Sequence, residues 1–240
     1  MGSPTVLEPG HLTIGVDASP PPPMQFGDLR SGAFTGLEVD LLEAVGKRLD
    51  LVPRYRSALW STILAELNEG ALDVVCTAAT VSAERSEKLV FGTPYLRLQL
   101  VAVVADAGDR LTPEDLTSQA LAVRAGTIAE KYIRTHFSPS SLLRTEYNAE
   151  AYEAVRSGRV QGLVDDSPIA AWFVAHWPGL RVAGALPGTT SHYAMVFARH
   201  NAGLARATDA IVHDLRANGT LRRLRRRWLE PGSARRLARQ

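Results

Sequence analysis

The stretch Ala71-Leu72-Asp73-Val74-Val75-Cys76-Thr77-Ala78-Ala79-Thr80-Val81-Ser82-Ala83-Glu84-Arg85 decides the fold. Through Val75 it is a short apolar run of the kind that makes a buried strand. Small residues and hydroxyls follow, and Arg85 stands five positions after Thr80. Small side chains let a ligand approach the backbone, hydroxyls can hydrogen-bond it, and a guanidinium offers a forked pair of donors to a carboxylate. The segment reads as a place for the head group of a small amino acid-like molecule.

Upstream, His11-Leu12-Thr13-Ile14-Gly15-Val16 predicts a first strand that ends at Asp17. Pro20-Pro21-Pro22-Pro23 predicts a stiff, extended loop that cannot be helix. Leu37, Leu41, Leu42, Val45 and Leu49 recur at helical spacing, which predicts an amphipathic helix over 37–49. Val52–Arg56 reads as a strand and Trp60–Leu67 as a helix, ended by Asn68-Glu69-Gly70. The strand before Cys76 completes a strand-helix-strand-helix-strand series, the pattern of a parallel sheet covered on both faces.

Downstream, the apolar run Leu98–Ala105 predicts a strand that leaves this lobe. Thr112-Pro113-Glu114-Asp115-Leu116 carries a helix-start signature. A second series follows: strand Ala120–Val123, loop Arg124–Thr127, helix Ala129–His136, strand Leu143–Tyr147, helix Ala149–Ser157 and strand Gly162–Val164. His192–Ala198 reads as a return strand, and Leu204–Arg216 and Leu221–Leu229 as closing helices parted by Asn218-Gly219-Thr220. Beyond Glu230-Pro231-Gly232 no packing pattern continues, so a frayed tail is expected.

The 240 residues suit one large domain or two lobes. A net charge of +2 gives no global sign of a nucleic-acid partner. Arg222, Arg223, Arg225, Arg226 and Arg227, with Arg235, Arg236 and Arg239 behind them, are read as a solvated helix face, with a membrane or nucleic-acid patch as the minority alternative. A single cysteine excludes an internal disulfide, and Cys76 at the end of an apolar run reads as a buried, inert thiol. Six scattered histidines show no metal-ligand spacing. No apolar run reaches the roughly 20 residues of a membrane helix, and no signal peptide is read. Met1-Gly2-Ser3 looks like a cloning remnant ahead of a mature domain.

Taken in order, several of these segments resemble the bacterial extracellular solute-binding proteins of the polar amino acid transport family. They are Gly15-Val16-Asp17-Ala18, Phe34-Thr35-Gly36-Leu37-Glu38-Val39-Asp40-Leu41, Thr80–Arg85, Phe91-Gly92-Thr93-Pro94-Tyr95, Arg124-Ala125-Gly126-Thr127, Asp166-Ser167-Pro168 and Asn218-Gly219-Thr220 with Trp228. The resemblance spans about residues 11–230. It implies the α/β, two-lobe, type II periplasmic-binding fold, each lobe a mostly parallel sheet flanked by helices, with two hinge crossings. Lobe 1 would hold residues 11–102 plus 195–230 and lobe 2 residues 103–194, with flexible tails at 1–10 and 231–240. The family closes its lobes on a free L-amino acid and passes it to the membrane permease of an ABC transporter. No cofactor, metal or catalysis is implied. A monomer with a periplasmic or extracellular location, free or membrane-anchored, is expected.

The resemblance also assigns site residues. Arg85 matches the carboxylate-binding Arg, against the alternative of a surface Arg at a helix start. Thr80 matches a hydroxyl on the same head group, and Thr77 and Ala78 match positions facing the ligand amine. Ala78-Ala79 stands where the family has Gly-Met, a departure that shifts the backbone approach. Asp166 matches the acid for the α-ammonium; the alternative is that Asp165 or Asp166 caps the helix at Pro168. Gly126, Thr127 and Ile128 match a loop and helix start whose amides suit a carboxylate. Arg124 matches a basic residue of some relatives, with a surface role as the alternative. Asp17 and Trp60 are expected to read the ligand side chain, Asp17 by accepting nitrogen donors and Trp60 as a wall. The family's first-loop aromatic is missing, and Met24 or Phe26 is its candidate replacement. Two other classes share this architecture: a prephenate or arogenate dehydratase, with Asp165, Asp166 and His192 as its candidate acids, and the sensor module of a receptor.

Overall fold

The structure, a computed structural model, describes residues 5–28, 33–107 and 110–230. The first unit holds the described residues up to Leu96 and those from His192, and the second runs Arg97–Ser191. In chain order the first unit has β1 (His11–Asp17), β2 (Phe26–Asp28), β3 (Ala33–Thr35), α1 (Leu37–Leu49), β4 (Val52–Ala58), α2 (Ile63–Asn68), β5 (Val74–Val75), α3 (Ala83–Ser86) and β6 (Leu89–Phe91). The short strand β7 (Leu96–Leu98) lies where the chain passes onward. The second unit has β8 (Leu100–Ala105), β9 (Ala120–Arg124), α4 (Ile128–His136), β10 (Ser141–Thr145), α5 (Asn148–Arg156), β11 (Gly162–Asp166), α6 (Ser167–His176) and β12 (Leu180–Ala185). After β13 (Ser191–Tyr193) come β14 (Val196–Ala198), α7 (Ala202–Ala217) and α8 (Thr220–Leu229).

The first sheet has the order β4-β1-β5-β14-β6. β1 is buried from Leu12 to Asp17 because parallel neighbours flank it, with His11 opposite Val52 and Ile14 opposite Val74. β14 runs antiparallel to both β5 and β6. The second sheet has the order β10-β9-β11-β8-β12, with β9 parallel to β10 and β11, and β8 antiparallel to β11 and β12. Each sheet is thus mostly parallel, as expected, with one strand running against the rest, β14 in the first and β8 in the second. Parallel pairs form where a helix crosses over between successive strands, whereas β8 and β14 enter their sheets without such a crossover. The sequence reading put the unit boundaries after residues 102 and 194; because β8 pairs with β11 and β12, the first passage comes ahead of Leu100.

In the first unit Ile63 and Leu67 of α2 meet Leu72, Val75, Leu89 and Val196 in one cluster. On α1, Leu41, Leu42 and Val45 are fully buried, and each such side chain contributes about 1.5–3 kcal/mol of transfer free energy. α1 starts at Gly36, whose φ is 145° and where a Cβ would sit 2.2 Å from the Met24 carbonyl oxygen. Its first amides have no carbonyl behind them in the helix. Leu37 and Glu38 donate instead to the carbonyls of Pro23 and Met24, at 3.2 and 3.0 Å. The proline loop thus serves as a backbone cap. In the second unit, Leu100, Ala102 and Val104 pack with Leu121, Val123, Ile133 and Val164.

The arginine run on α8 is a solvated helix face except at Arg225, which is partly buried and donates through Nε to the Tyr95 carbonyl at 2.8 Å. Leu221 and Trp228 are buried, whereas Arg222, Arg223, Arg226 and Arg227 are exposed. Trp228 Nε1 donates to Asp40 Oδ2 at 2.7 Å, and Arg227 pairs with the same carboxylate at 3.1 Å. In the leading segment the Leu7 amide donates to Asp73 Oδ1 at 2.9 Å, and Glu8 pairs with Arg54. Residues 1–4 and the expected tail at 231–240, with Arg235, Arg236 and Arg239, lie outside the described residues.

Candidate functional site

Open α/β sheets offer ligand sites at the carboxyl ends of their strands. In the first unit, β1 ends at Asp17, and the parallel strand β5 runs on into Cys76 and Thr77. The Asp17 amide donates to Thr77 Oγ1 at 3.1 Å, and Asp17 Oδ1 accepts the Ser19 amide at 2.9 Å. Both side chains are buried. The first hydrogen bond ties the two strand ends together, and the second folds the chain after Asp17 into an Asx-turn.

The following residues form a rigid loop. Ala78 adopts the left-handed region at φ 50°, and its amide donates to Glu38 Oε1 at 2.8 Å. Ala79 is fully buried and its carbonyl accepts the Ala194 amide at 3.2 Å. Thr80 is buried and bridges to Tyr193. Its carbonyl accepts Arg85 Nη1 at 3.0 Å. Ser82 caps the single turn of α3 by accepting the Arg85 amide at 3.3 Å. The Arg85 guanidinium carbon lies 5.0 Å from the centroid of the Trp60 ring. Of the expected residues in this unit, Asp17 and Thr77 thus form one group, and Thr80, Arg85 and Trp60 a second.

Glu38 was quoted in the sequence only as part of a motif, yet it supports this loop from below. It is fully buried on α1; Tyr95 Oη donates to the same Oε1 that accepts Ala78, and Oε2 has no hydrogen-bond partner. Burial raises its carboxyl to about 7, against the opposing hydrogen bonds from Tyr95 and Ala78. The signal in the sequence was an acid in register with Leu42 and Val45 on the apolar face of a helix. Cys76 is fully buried beside Tyr95, with Sγ 4.0 Å from Oη. Burial pushes its thiol well above the usual value, which makes it inert. Met24 is fully buried and Phe26 packs edge-on against Trp228 at 5.6 Å, so both are engaged in the fold.

In the second unit, Arg124 ends β9 and Asp165–Asp166 end β11, parallel to it. Arg124 is 6% exposed, which removes the surface alternative. Its Nε donates to the Glu146 carbonyl and its Nη1 to Asn148 Oδ1, both at 3.0 Å. Asn148 Nδ2 and Tyr152 Oη each donate to Asp165 Oδ2 at 2.9 Å, and the Asp166 amide donates to Asp165 Oδ1 at 2.8 Å. Burial pushes the Asp165 carboxyl up, while these donors and Arg124 pull it down. Asp165 is thus the centre of a buried network. Asp166 occupies the N-cap position of α6, yet its side chain makes no capping hydrogen bond. The two acids separate: Asp165 is structural, and Asp166 is partly exposed at the strand end.

Thr127 caps α4, accepting the Glu130 amide at 3.2 Å and donating to the Arg124 carbonyl at 2.7 Å. Glu130 accepts the Gly126 amide at 2.8 Å and pairs with Arg134 and Arg144. Burial pushes the Glu130 carboxyl up, but these partners outweigh it and hold it below the usual value. The capping leaves the amides of Ile128 and Ala129 as the remaining first-turn donors of α4. Among the described residues no three His, Cys, Asp or Glu side chains are grouped to hold a metal, and no helix is long and apolar enough to cross a membrane.

Comparison with known proteins gives a consistent picture. The family of bacterial extracellular solute-binding proteins, family 3, matches residues 12–231. The L-cystine-binding protein TcyJ of Escherichia coli (strain K12) is 26% identical over 225 residues, covering 93% of this chain and 84% of that protein. Holo ArgBP from T. maritima superposes with a TM-score of 0.79 at 26% identity, covering 86% of this chain and 91% of the other. The ancestral amino acid-binding protein AncCDT-1, a precursor of cyclohexadienyl dehydratase, superposes with a TM-score of 0.84 at 27% identity, covering 92% and 96%.

Proposed function

Because the chain belongs to the bacterial extracellular solute-binding proteins of family 3, we propose that it captures a free L-amino acid outside the cytoplasm and delivers it, as a monomer, to the membrane permease of an ABC transporter. The observation that carries the reading is Arg85, a half-buried guanidinium on α3 braced on the Thr80 carbonyl of the loop that follows β5. Arg85 takes the ligand carboxylate, with Thr80 contributing its hydroxyl. A forked, charge-assisted pair of this kind is roughly twice as strong as a neutral hydrogen bond.

Asp166, partly exposed at the carboxyl end of β11, takes the α-ammonium. A zwitterion carries both charges, and Arg85 and Asp166 are the groups proposed for its two ends. Thr77 and Ala78 line the amine, and Arg124, Thr127 and Ile128 shape the second unit's share. Asp17, buried at the end of β1, accepts side-chain nitrogen donors, which favours a polar or cationic ligand. The relatives named for cystine and arginine support that preference.

The dehydratase alternative draws on the likeness to AncCDT-1. A general acid must reach the reacting group. Asp165 is instead enclosed by Asn148, Tyr152 and the Asp166 amide, which speaks against it in that role. Calorimetry and thermal shift against the twenty L-amino acids and L-cystine test the reading. At least one should bind and raise the melting temperature. A folded protein that binds none of them, or that releases phenylpyruvate from prephenate, sinks it.

A further inference from the structure

Glu38 is fully buried on α1, and its Oε1 accepts both the Ala78 amide, at 2.8 Å, and the Tyr95 hydroxyl. Both donors are neutral, and Oε2 has no hydrogen-bond partner among the described residues. The groups around it come from several segments. The Glu38 amide donates to the Met24 carbonyl of the proline loop, where the uncharged Gln25 donates to the Cys76 carbonyl. Burial pushes the Cys76 thiol and the Tyr55 and Tyr95 hydroxyls above their usual values, so all three stay neutral near pH 7. The Arg225 guanidinium lies behind Tyr95, on its carbonyl. Asp17 meets the loop from the end of β1, its amide on Thr77 Oγ1, whereas Asp40 on α1 is turned to Arg227 and Trp228. His192, whose carbonyl accepts the Val81 amide, is exposed on β13. Glu38, raised by burial to about 7, changes charge in the neutral range.

We infer that Glu38 is a positioning residue for the ligand amine: it supplies a further negative charge through Ala78, and capture of the α-ammonium drives its proton off; this rests on the proposed place of Ala78 beside the amine. A buried carboxylate between two neutral donors lacks a counter-charge, which is why the free protein keeps the proton. A ligand ammonium held at Ala78 supplies that charge. With one residue of backbone between two hydrogen bonds, it comes within roughly 5–9 Å of Oε1. At that range a unit charge, screened as charges in proteins usually are, lowers the carboxyl by about one to two pH units. The proton leaves Oε2 for bulk water, and the ammonium keeps its own. Ionisation also strengthens the bonds from Ala78 and Tyr95, because a charged acceptor holds its donors more tightly. The Ala78 backbone is thereby fixed as the amine engages it.

Calorimetry of the tightest binder among the twenty L-amino acids and L-cystine, in two buffers of different ionisation enthalpy, counts the protons exchanged. After subtraction of the ligand's own titration, binding at pH 7 should release roughly 0.4–0.5 proton, and affinity should rise roughly five- to twentyfold from pH 5.5 to pH 8.0. Glu38→Gln cannot ionise but keeps an acceptor for Ala78. It should release less than about 0.1 proton, and its affinity should vary less than about twofold over the same range. Tyr95→Phe removes a donor that favours the ionised form, so it should move the midpoint of the profile to higher pH. Should Glu38→Gln fail to fold, that displacement carries the test. Undiminished proton release in Glu38→Gln would assign it to Asp17 or His192 and overturn the inference. A wild-type protein that binds without releasing protons would do the same, as would a Tyr95→Phe profile with its midpoint unmoved. If no probe binds, the amino acid reading itself falls, and the inference with it.

Discussion

Glu38 on α1 accepts the amide of Ala78, forty residues further along the chain, on the same Oε1 atom that accepts the Tyr95 hydroxyl. The other oxygen, Oε2, is buried with no hydrogen-bond partner among the described residues, so a proton there neutralises the group without disturbing either bond. Burial accordingly raises the carboxyl from 4.5 to about 7. An unfolded chain ionises Glu38 near 4.5, so between that value and about 7 the native state binds more protons. Stability from this group is fully present at low pH and is lost as pH rises through about 7. The loss is on the order of 3 kcal/mol. Glu38→Gln mimics the protonated form and should flatten the dependence. Melting temperatures at pH 5 and pH 7.5 check it: relative to wild type, the variant should gain stability at the higher pH.

Ala78 holds a backbone conformation that costs an L-residue about 1–2 kcal/mol. Ala78→Gly removes that cost but adds about 0.5–1 kcal/mol of unfolded-chain entropy. The net expectation is a gain of about 0.5–1 kcal/mol, and a melting temperature higher by roughly 1–4 °C. A lower melting temperature would mean that the Ala78 methyl is itself a packing contact.

The sequence made α1 legible to the residue, because Leu37, Leu41, Leu42, Val45 and Leu49 give one clean apolar stripe. β1 was equally plain. α6 was read only by its start at Pro168, because Ile169-Ala170-Ala171-Trp172-Phe173-Val174-Ala175 is apolar all round and offers no period to read. β12 escaped because it lies at a sheet edge and leaves Val182 exposed. The strand expected at Leu143–Tyr147 lies two residues earlier, since Glu150 draws the Tyr147 amide into the start of α5. At the site, the loop Thr77–Arg85 was legible from small residues and hydroxyls. Its supports Glu38, Tyr95 and Trp60 bear on it through long-range packing, which no local pattern encodes.

The Asp165 network makes a graded prediction for the second unit. Tyr152 Oη donates to Asp165 Oδ2 at 2.9 Å, while its ring stacks on Phe173 at 3.9 Å. Tyr152→Phe keeps the stack and loses one hydrogen bond to a buried carboxylate, about 1.5–3 kcal/mol. Asp165→Ala leaves Arg124 and Asn148 buried without their acid and should cost more, about 3–5 kcal/mol. Thermal unfolding of the two variants gives the order, and equal or negligible losses would mean that Asp165 is not the centre of the network.

Arg85 and Asp166 should be separable by ligand chemistry. Arg85 is half-buried on the short helix α3, so Arg85→Ala removes its stack on Trp60 and its bond to the Thr80 carbonyl and should lower the ligand-free melting temperature by about 2–4 °C without unfolding the protein. Truncating one partner of a hydrogen-bonded charge pair typically costs about 2–5 kcal/mol of binding. Affinity for the bound amino acid should therefore fall by roughly thirtyfold or more. Asp166→Asn should weaken the same amino acid, but not its analogue that lacks the α-amine, because the lost attraction is to the ammonium alone. Arg85→Ala should abolish binding of both, since both keep the carboxylate. Calorimetry with the pair of ligands reads all four combinations. If Asp166→Asn weakens both ligands equally, Asp166 acts by shaping the start of α6 and not by meeting the amine.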